Sequence, residues 1–338
     1  MANFELLKEL TQTWGVAGRE KKVREIVLRE IEGMVDECRV DAIGNIIALK
    51  KGKGGPDAKK IMLCAHMDEV GMQVKRIDGD GKIIVRNVGW VWPAALYHDQ
   101  VVFQNGIIGV VGCTGDISSA GTDAGKLYID IGCTTKEDAE KCVKVGDYCG
   151  FVGPYYELQN DRISSKSFDD RAGCFVLIEA LKQNKGDGPN DVYYVFSVQE
   201  ELGCRGSKTA AEQIKPDIGI SVDVTPDHFY PADLSGCNAV GEGVSVTLGD
   251  PSATMDEYLV DEMLACCEEH HIHYQRGVMD RGGTDASSMN LSGTGVRVAG
   301  IALVDRYPHS KCSVISKQDV LAAIELTHRY THRNFVFD

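Results

Sequence analysis

The apolar positions near the start of the chain recur at helical spacing. Leu6, Leu7 and Leu10 share one face of a helix, and a second apolar face runs from Val23 to Ile31. Spacings of three and four residues bring side chains together on one side of an α-helix. The stretch NIIALKKGKGGPDAKKIMLCAH, residues 45–66, has two apolar runs joined by glycine, lysine and proline. It predicts a strand, a turn and a second strand.

The pattern changes between residues 70 and 158, where short apolar runs alternate with glycines. Asn105-Gly106 lies between two of these runs, and this pair favours the tight turn of a β-hairpin. The stretches GDGKIIVRNVGW, KLYIDIGC and DYCGFVG have the same character. We therefore predict an all-β segment without a helix over residues 70–158.

From Ser167 onward, helical and strand patterns alternate. In chain order they are RAGCFVLIEALKQ, DVYYVFSV, AAEQI, DIGISVDV, MDEYLVDEMLACCEEHHI, GVRVAGIALV and SKQDVLAAIELTHRY. This alternation is typical of an α/β fold whose mixed, largely parallel sheet is flanked by helices. We predict a discontinuous α/β domain, residues 1–69 and 159–338, with a small all-β domain inserted at residues 70–158.

The composition narrows the classes of partner. The 338 residues include 36 Lys and Arg against 50 Asp and Glu, a formal net charge of −14, which repels phosphate backbones and argues against nucleic acid. No basic, apolar signal peptide starts the chain, and no apolar run approaches the ~18 residues that span a bilayer. We expect a soluble, cytoplasmic protein. The twelve cysteines contain no CxxC pair, which indicates reduced, mostly buried thiols.

Side chains that bind protons or metals cluster at the ends of predicted elements. They are His66 and Asp68 after one strand, Glu200 and Glu201 after a second, Asp223 after a third, His309 after a fourth, and Asp169 and Asp170 before a helix. One such acid is typical of a turn or a helix cap. So many at strand ends indicate one crevice, because the carboxyl ends of parallel strands form the ligand-binding edge of a sheet.

Two histidines with several carboxylates and no cysteine suit one or two divalent ions such as zinc, cobalt or manganese. His66 and Asp68 lie on one side of an extended segment, so Asp68 can accept the far N–H of His66. Glu200 and Glu201 point to opposite sides, so one can bind metal while the other carries protons. The histidines at 270, 271 and 273 are better explained by a helix end, where cations suit the dipole.

The stretches AHMDEVG, FDDRAG, EELGCRG, VDVT, GGTDA and RYPHS occur in this order over almost the whole chain. Together they resemble metallopeptidase family 42, the tetrahedral (TET) aminopeptidases, whose relatives include glutamyl and deblocking aminopeptidases. The resemblance implies a zinc-aminopeptidase-like fold and two divalent metal ions per chain, zinc or cobalt. It implies that Asp169 bridges both ions, with His66 and Asp223 at one and Glu201 and His309 at the other.

The resemblance also implies how peptides are cleaved. A metal-bridging water would attack the first peptide carbonyl, with Glu200 as the general base and Asp68 as the partner of His66. Thr284 in GGTDA is a candidate substrate contact, and a cis peptide is implied at Asp169-Asp170.

Assembly and specificity are the remaining expectations. The run from Trp90 to Tyr97 suits either an interface core or packing inside the chain. The resemblance favours assembly through the insertion, as a dimer or a hollow tetrahedral dodecamer that would admit only unfolded peptides, and it implies short peptides as substrates. The chain departs from the family between residues 226 and 246, where Val240 and Val244 replace a leucine and a proline. Arg281, Arg297 and Arg306 suit either acidic substrates or structural ion pairs.

Other functions stay open at this point. A related dinuclear-metal carboxypeptidase or deacylase would need an arginine or lysine cleft that the sequence does not identify. A glycosidase, the label that some related sequences carry, would need two free carboxyl groups beside the scissile bond. A non-catalytic scaffold would leave an intact ligand set with a spare Glu200 unexplained.

Overall fold

A computed structural model describes residues 2–115, 126–229 and 236–337. Its largest element is a nine-stranded sheet in the order β1-β2-β12-β3-β13-β17-β14-β15, with β16 paired to β14. The strands of this sheet are β1 (Glu37–Val40), β2 (Ile46–Lys50), β3 (Lys60–His66), β12 (Asp191–Ser197), β13 (Ile218–Pro226), β14 (Val244–Asp250), β15 (Ala253–Thr254), β16 (Tyr274–Val278) and β17 (Arg297–Asp305).

The four central strands, β12, β3, β13 and β17, are parallel to one another, and the edges carry antiparallel pairs. The predicted mixed, largely parallel sheet is thereby confirmed. Strand β13 is buried from Ile218 to Thr225 and β3 from Ile61 to His66. Continuous burial requires cover on both faces of the sheet. Strand β3 is accordingly apolar without a break from Ile61 to Ala65, whereas β13 alternates Ile and Val with small or polar residues that are also buried.

Nine helices are seen within the described ranges. They are α1 (Phe4–Gln12), α2 (Lys21–Ile31), α3 (Pro93–Leu96), α4 (Lys136–Cys142), α5 (Phe168–Gln183), α6 (Arg205–Ile214), α7 (Glu257–Glu269), α8 (Ala286–Asn290) and α9 (Lys317–Tyr330). Helix α5 is buried almost all round, because it lies between the sheet and helices α1 and α9. None of the described helices is both long and apolar enough to cross a bilayer.

A second, separate sheet closes into a barrel in the order β4-β5-β8-β7-β6-β9. Its strands are β4 (Gly71–Ile77), β5 (Ile83–Val88), β6 (Gln100–Phe103), β7 (Ile108–Cys113), β8 (Leu127–Asp130) and β9 (Tyr148–Phe151). The barrel has an apolar core of its own. The predicted hairpin at Asn105-Gly106 is confirmed, since β6 and β7 pair around it and Gly106 has a φ of 89°.

The expectation of no helix in residues 70–158 is wrong, because α3 and α4 both lie there. Helix α4 is seven residues long and buries Ala139, so it has no apolar stripe that its sequence could reveal. The N-cap residue Thr135 stabilises the start of α4, because its hydroxyl accepts a hydrogen bond from the Asp138 amide.

A three-stranded sheet completes the fold. It consists of β10 (Tyr156–Glu157), β11 (Arg162–Ser165) and β18 (Ser313–Ser316). Strand β11 runs into the start of α5, and β18 follows the loop that carries His309. This sheet therefore ties together two of the segments that carry candidate site residues. Residues 116–125, within the predicted insertion, and 230–235, within the segment that departs from the family, lie outside the described residues.

Candidate active site

The central strands bring most candidate residues to one edge of the sheet. His66 is the last residue of β3, and Glu200 follows β12 by three residues. His309 follows β17 by four residues. Asp223 is not at a strand end as predicted, because β13 continues to Pro226. The extension has a structural cause: β13 pairs with β17 over its whole length, up to Asp305.

Asp169 lies between the two candidate histidines. Its Oδ1 is 2.9 Å from Nε2 of His66, and its Oδ2 is 2.9 Å from Nε2 of His309. The carboxylate occupies this position at the start of α5, where Ser167 has a φ of 57° and Asp169 is non-helical. The peptide bond between Asp169 and Asp170 is cis, which confirms that expectation.

The remaining candidate ligands surround this pair. Glu201 Oε1 is 3.4 Å from Nε2 of His309. Asp223 Oδ1 is 4.0 Å and Glu200 Oε2 is 3.9 Å from Nε2 of His66. Potential ligand atoms of His66, Asp169 and Glu201 all lie within 4.8 Å of one another, a spacing that can hold a metal ion. The structure therefore assembles all five candidate ligands, with Glu200 beside them.

Both histidine rings are oriented by backbone carbonyls. Nδ1 of His309 is 2.7 Å from the Trp90 carbonyl, and Nδ1 of His66 is 3.2 Å from the Asp68 carbonyl. If each Nδ1–H donates to its carbonyl, each Nε2 presents a lone pair toward Asp169. Two acceptors at 2.9 Å attract each other only through a proton or a metal cation between them.

The buried carboxylates of the site favour the binding of a cation. Burial, together with the nearby Asp169 charge, raises the pKa of Glu201 to about 8 and the pKa of Asp223 to about 7. Burial lowers the pKa of His309, but the carboxylates of Glu201 and Asp169 outweigh it and raise the pKa to about 10. Among the described residues, Glu201 Oε1 has no hydrogen-bond donor although it is fully buried. Divalent ions would satisfy both the orphaned oxygen and the excess negative charge.

Asp68 holds the loop after β12. Its Oδ1 and Oδ2 accept hydrogen bonds from the backbone amides of Glu200 (3.0 Å) and Glu201 (3.1 Å). Its Oδ1 is 3.5 Å from Nδ1 of His66, which is longer than the bond from that nitrogen to the Asp68 carbonyl. The carboxylate thus orients the Glu200-Glu201 pair as well as lying beside His66. The sequence pattern predicted only the contact between Asp68 and His66.

Thr284 is buried close to the site, with 5% of its surface exposed. Its hydroxyl donates to the hydroxyl of Ser221 at 3.1 Å, and its carbonyl is 3.5 Å from the Cys204 thiol. A contact between Thr284 and substrate stays a prediction.

The histidines at 270, 271 and 273 follow the end of α7, and they belong to none of the metal-competent groups found among the described residues.

Three further residues act on the site without having been assigned a role from sequence. Asp170 accepts the His66 amide at 3.0 Å, Glu20 accepts the Gln199 amide at 3.2 Å, and Cys204 donates to Glu200 at 3.0 Å. Asp170 and Cys204 lie inside the motifs FDDRAG and EELGCRG, so the sequence contained a signal that both residues are near the site. Glu20 had none, because it is far from Gln199 in the chain.

The fold and this cluster define an α/β protein whose sheet edge carries histidine and carboxylate side chains spaced so that they could hold a metal ion. The model of the M42 glutamyl aminopeptidase family matches residues 44–326. The chain belongs to this family.

Three known proteins are each similar to this chain over nearly all of its length. It is 39% identical over 324 residues to a putative aminopeptidase of Acetivibrio thermocellus, covering 96% of each chain. A TET aminopeptidase from a Thaumarchaeota archaeon has a TM-score of 0.92 at 31% identity, covering 98% of this chain and 96% of that one. The TET1 peptidase of Pyrococcus horikoshii, which can assemble into a tetrahedron or a large octahedral shell, has a TM-score of 0.86 at 31% identity, with 98% and 99% covered.

These similarities make the chain a peptide hydrolase of the aminopeptidase type. Membership of a metallopeptidase family also implies divalent metal ions, in agreement with the ligand groups gathered at the sheet edge.

Proposed function

We propose that this chain removes N-terminal residues from short peptides with two divalent metal ions, zinc or cobalt, at the carboxyl edge of its sheet. The observation that carries the proposal is the position of Asp169, whose two oxygens are each 2.9 Å from Nε2 of a different histidine. A carboxylate that faces one imidazole through each oxygen can serve one ion through each oxygen. We therefore assign Asp169 as the bridging ligand.

The other ligands divide between the two histidines. Asp223 approaches Nε2 of His66 and completes the first position, and Glu201 approaches Nε2 of His309 and completes the second. The raised pKa values of Asp223 and Glu201, caused mainly by burial, fit this division, because a cation would stabilise both carboxylates in their charged form.

When bound, the ions would acidify a water molecule and polarise the carbonyl of the first peptide bond. Glu200 would carry the proton. Its Oε2 points toward His66 but lies 3.9 Å from Nε2, farther than the nearest oxygen of Asp169. Glu200 is the member of the adjacent glutamate pair that is not assigned as a ligand, so its carboxylate would accept a proton from the attacking water and deliver it to the leaving amine. Asp68 would keep it there by holding the Glu200 amide.

Removing the metal should abolish activity and lower thermal stability. Dialysis against a chelator is expected to leave no hydrolysis of Leu-p-nitroanilide, and zinc or cobalt should restore it. Ions that bind the folded chain stabilise it by about 2.7 kcal/mol at a free concentration ~100 times Kd, so the melting temperature should fall on chelation. Activity that survives complete removal of metal, checked by elemental analysis, would contradict the proposal.

A free α-amine on the substrate should be required. Leu-p-nitroanilide and N-acetyl-Leu-p-nitroanilide should be compared at equal concentrations, and the acetylated form is expected to react at least about 100-fold more slowly, a loss of ~2.7 kcal/mol of transition-state binding. Equal rates would favour the alternative dinuclear-metal carboxypeptidase or deacylase. A glycosidase is not favoured, because it needs two free carboxyl groups. Among the described candidate residues, Asp169, Glu201 and Asp223 are assigned as ligands and two backbone amides hold the Asp68 carboxylate, which leaves Glu200. A β-glucan should therefore remain intact.

We propose further that the chain forms homo-oligomers through the inserted domain at residues 70–158. Trp90 and Trp92, between β5 and α3, are 56% and 45% exposed and pack against each other edge to face. Exposed tryptophans are enriched in interface cores. The shell formed by the TET1 peptidase of Pyrococcus horikoshii supports assembly of a similar chain.

Light scattering on the metal-loaded protein should show a mass of at least two 36.8 kDa chains, or of twelve if the shell forms. The variant Trp92→Glu is expected to weaken association, whereas Leu291→Glu, at an exposed apolar position outside residues 70–158, should not. A monomeric wild-type mass at micromolar concentration with full peptidase activity would refute assembly through this domain.

A further inference from the structure

The carboxylate of Glu200 has one side-chain hydrogen-bond donor among the described residues. That donor is the thiol of Cys204, whose Sγ lies 3.0 Å from Oε1. The other oxygen, Oε2, points toward His66 and the metal ligands. The two oxygens of the carboxylate therefore face different partners.

The backbone after β12 sets this contact. Residues Glu200–Leu202 form a 3₁₀ turn that Gly203 ends, and Gln199 and Cys204 on either side are left-handed, with φ values of 57° and 51°. The amides of Gly203 (2.7 Å) and Cys204 (2.8 Å) both donate to the Glu200 carbonyl and close the turn. Because Cys204 is also the N-cap of α6, its side chain is held at the start of a helix and directly beside the carboxylate.

The sulfur is oriented by the neighbouring GGTDA segment. The hydroxyl of Ser287 donates to Sγ at 3.7 Å, and the Thr284 carbonyl is the more distant of the two acceptors near the thiol, 3.5 Å from Sγ. A sulfur that accepts one hydrogen bond keeps its own proton available, and Glu200 Oε1 is the nearest acceptor.

We infer that Cys204 is a positioning residue for Glu200: its thiol binds Oε1 and so directs Oε2 toward the scissile bond. The inference rests on the proposed role of Glu200 as general base. A donor on one oxygen stabilises the charged carboxylate and removes one of its rotational freedoms. Cys204 therefore contributes to turnover without touching the substrate.

A metal-binding role for the thiol is less well supported. Potential ligand atoms of Glu200, Cys204 and Asp285 lie within 4.8 Å of one another. However, the oxygens of Asp285 already accept hydrogen bonds from the hydroxyls of Ser197 (2.6 Å) and Ser207 (2.5 Å). Burial and the charges of Asp285 and Glu200 also raise the pKa of Cys204, which keeps the thiol protonated as a donor must be.

The test compares Cys204→Ala, which removes the donor, with Cys204→Ser, which keeps one. We expect Cys204→Ala to lower kcat about tenfold with KM changed less than about twofold, since a donor to a charged group affects the chemical step. Cys204→Ser should restore kcat to within about threefold.

Cys113→Ala is the matched control, because Cys113 is also half-buried and its thiol contacts the Thr114 carbonyl in the barrel. It should keep wild-type kinetics. Metal content and melting temperature should be measured for every variant. Wild-type kcat in Cys204→Ala would overturn the inference, and so would Cys204→Ser as slow as Cys204→Ala, since packing alone would then explain the loss. Loss of metal from Cys204→Ala would overturn it in favour of metal ligation.

The double variant with Glu200→Gln separates this inference from the proposed function. If Cys204 acts through Glu200, adding Cys204→Ala to Glu200→Gln should cause no further loss. An additional tenfold loss would overturn the coupling. An active Glu200→Gln enzyme would instead overturn the proposed function.

Discussion

Replacing Asp169 by alanine is expected to empty both metal positions and to reduce kcat/KM by at least about 10⁴-fold. The physical reason is that one carboxylate faces both histidines, with an oxygen 2.9 Å from each Nε2. Its removal leaves each proposed ion with one histidine and one carboxylate. Elemental analysis after gel filtration should find well below one ion per chain.

Asp187→Ala is the control for this change. Asp187 is also an aspartate beside a histidine ring, 3.3 Å from Nε2 of His332, but it lies outside the candidate site. The Asp187 variant should keep its metal and its activity. Two ions per chain in Asp169→Ala would refute the bridging role, and one retained ion would show that Asp169 serves a single position.

Replacing Glu200 by glutamine is expected to leave two ions bound and to lower kcat by about 10³-fold, within the usual contribution of a general base. The amide has the shape of the carboxylate but cannot take a proton at neutral pH. Since Glu200 is not among the proposed ligands and glutamine keeps its shape, the substitution should not disturb the metal positions. Metal analysis and steady-state kinetics on the same preparation test both halves.

The matched control is Glu212→Gln on α6, where the carboxylate accepts a hydrogen bond from the Gly293 amide at the surface. It should behave as wild type. Loss of metal in Glu200→Gln, with Glu201→Gln still loaded, would reverse the roles of the two adjacent glutamates. Full activity in Glu200→Gln would require a different proton carrier.

The two expected results differ in what they remove. Asp169→Ala should remove the metal and with it the chemistry, whereas Glu200→Gln should remove proton transfer and keep the metal. A structural collapse would instead lower the melting temperature and the metal content in both variants. Comparing metal content with turnover in the same pair of proteins therefore distinguishes the proposed roles from misfolding.

Periodicity in the sequence was sufficient for the long elements. Helix α9 and strands β3 and β17 are present where the spacing of apolar residues predicts them, because each of these elements buries many apolar side chains. The short helix α4 escaped prediction, since a capping threonine and a single buried alanine leave no periodic signal. Asp223 was placed at a strand end, but pairing with β17 extends β13 to Pro226, and pairing length is a tertiary property.

The sequence by itself determined the candidate ligands and the family, because the ligand types stand in ordered motifs beside apolar strands. Only the tertiary structure decided their contacts. It placed Asp169 between His66 and His309, and it directed the Asp68 carboxylate to the amides of Glu200 and Glu201. The reason is that local patterns specify which face a side chain takes, whereas the distance between loops far apart in the chain depends on how the strands order themselves in the sheet.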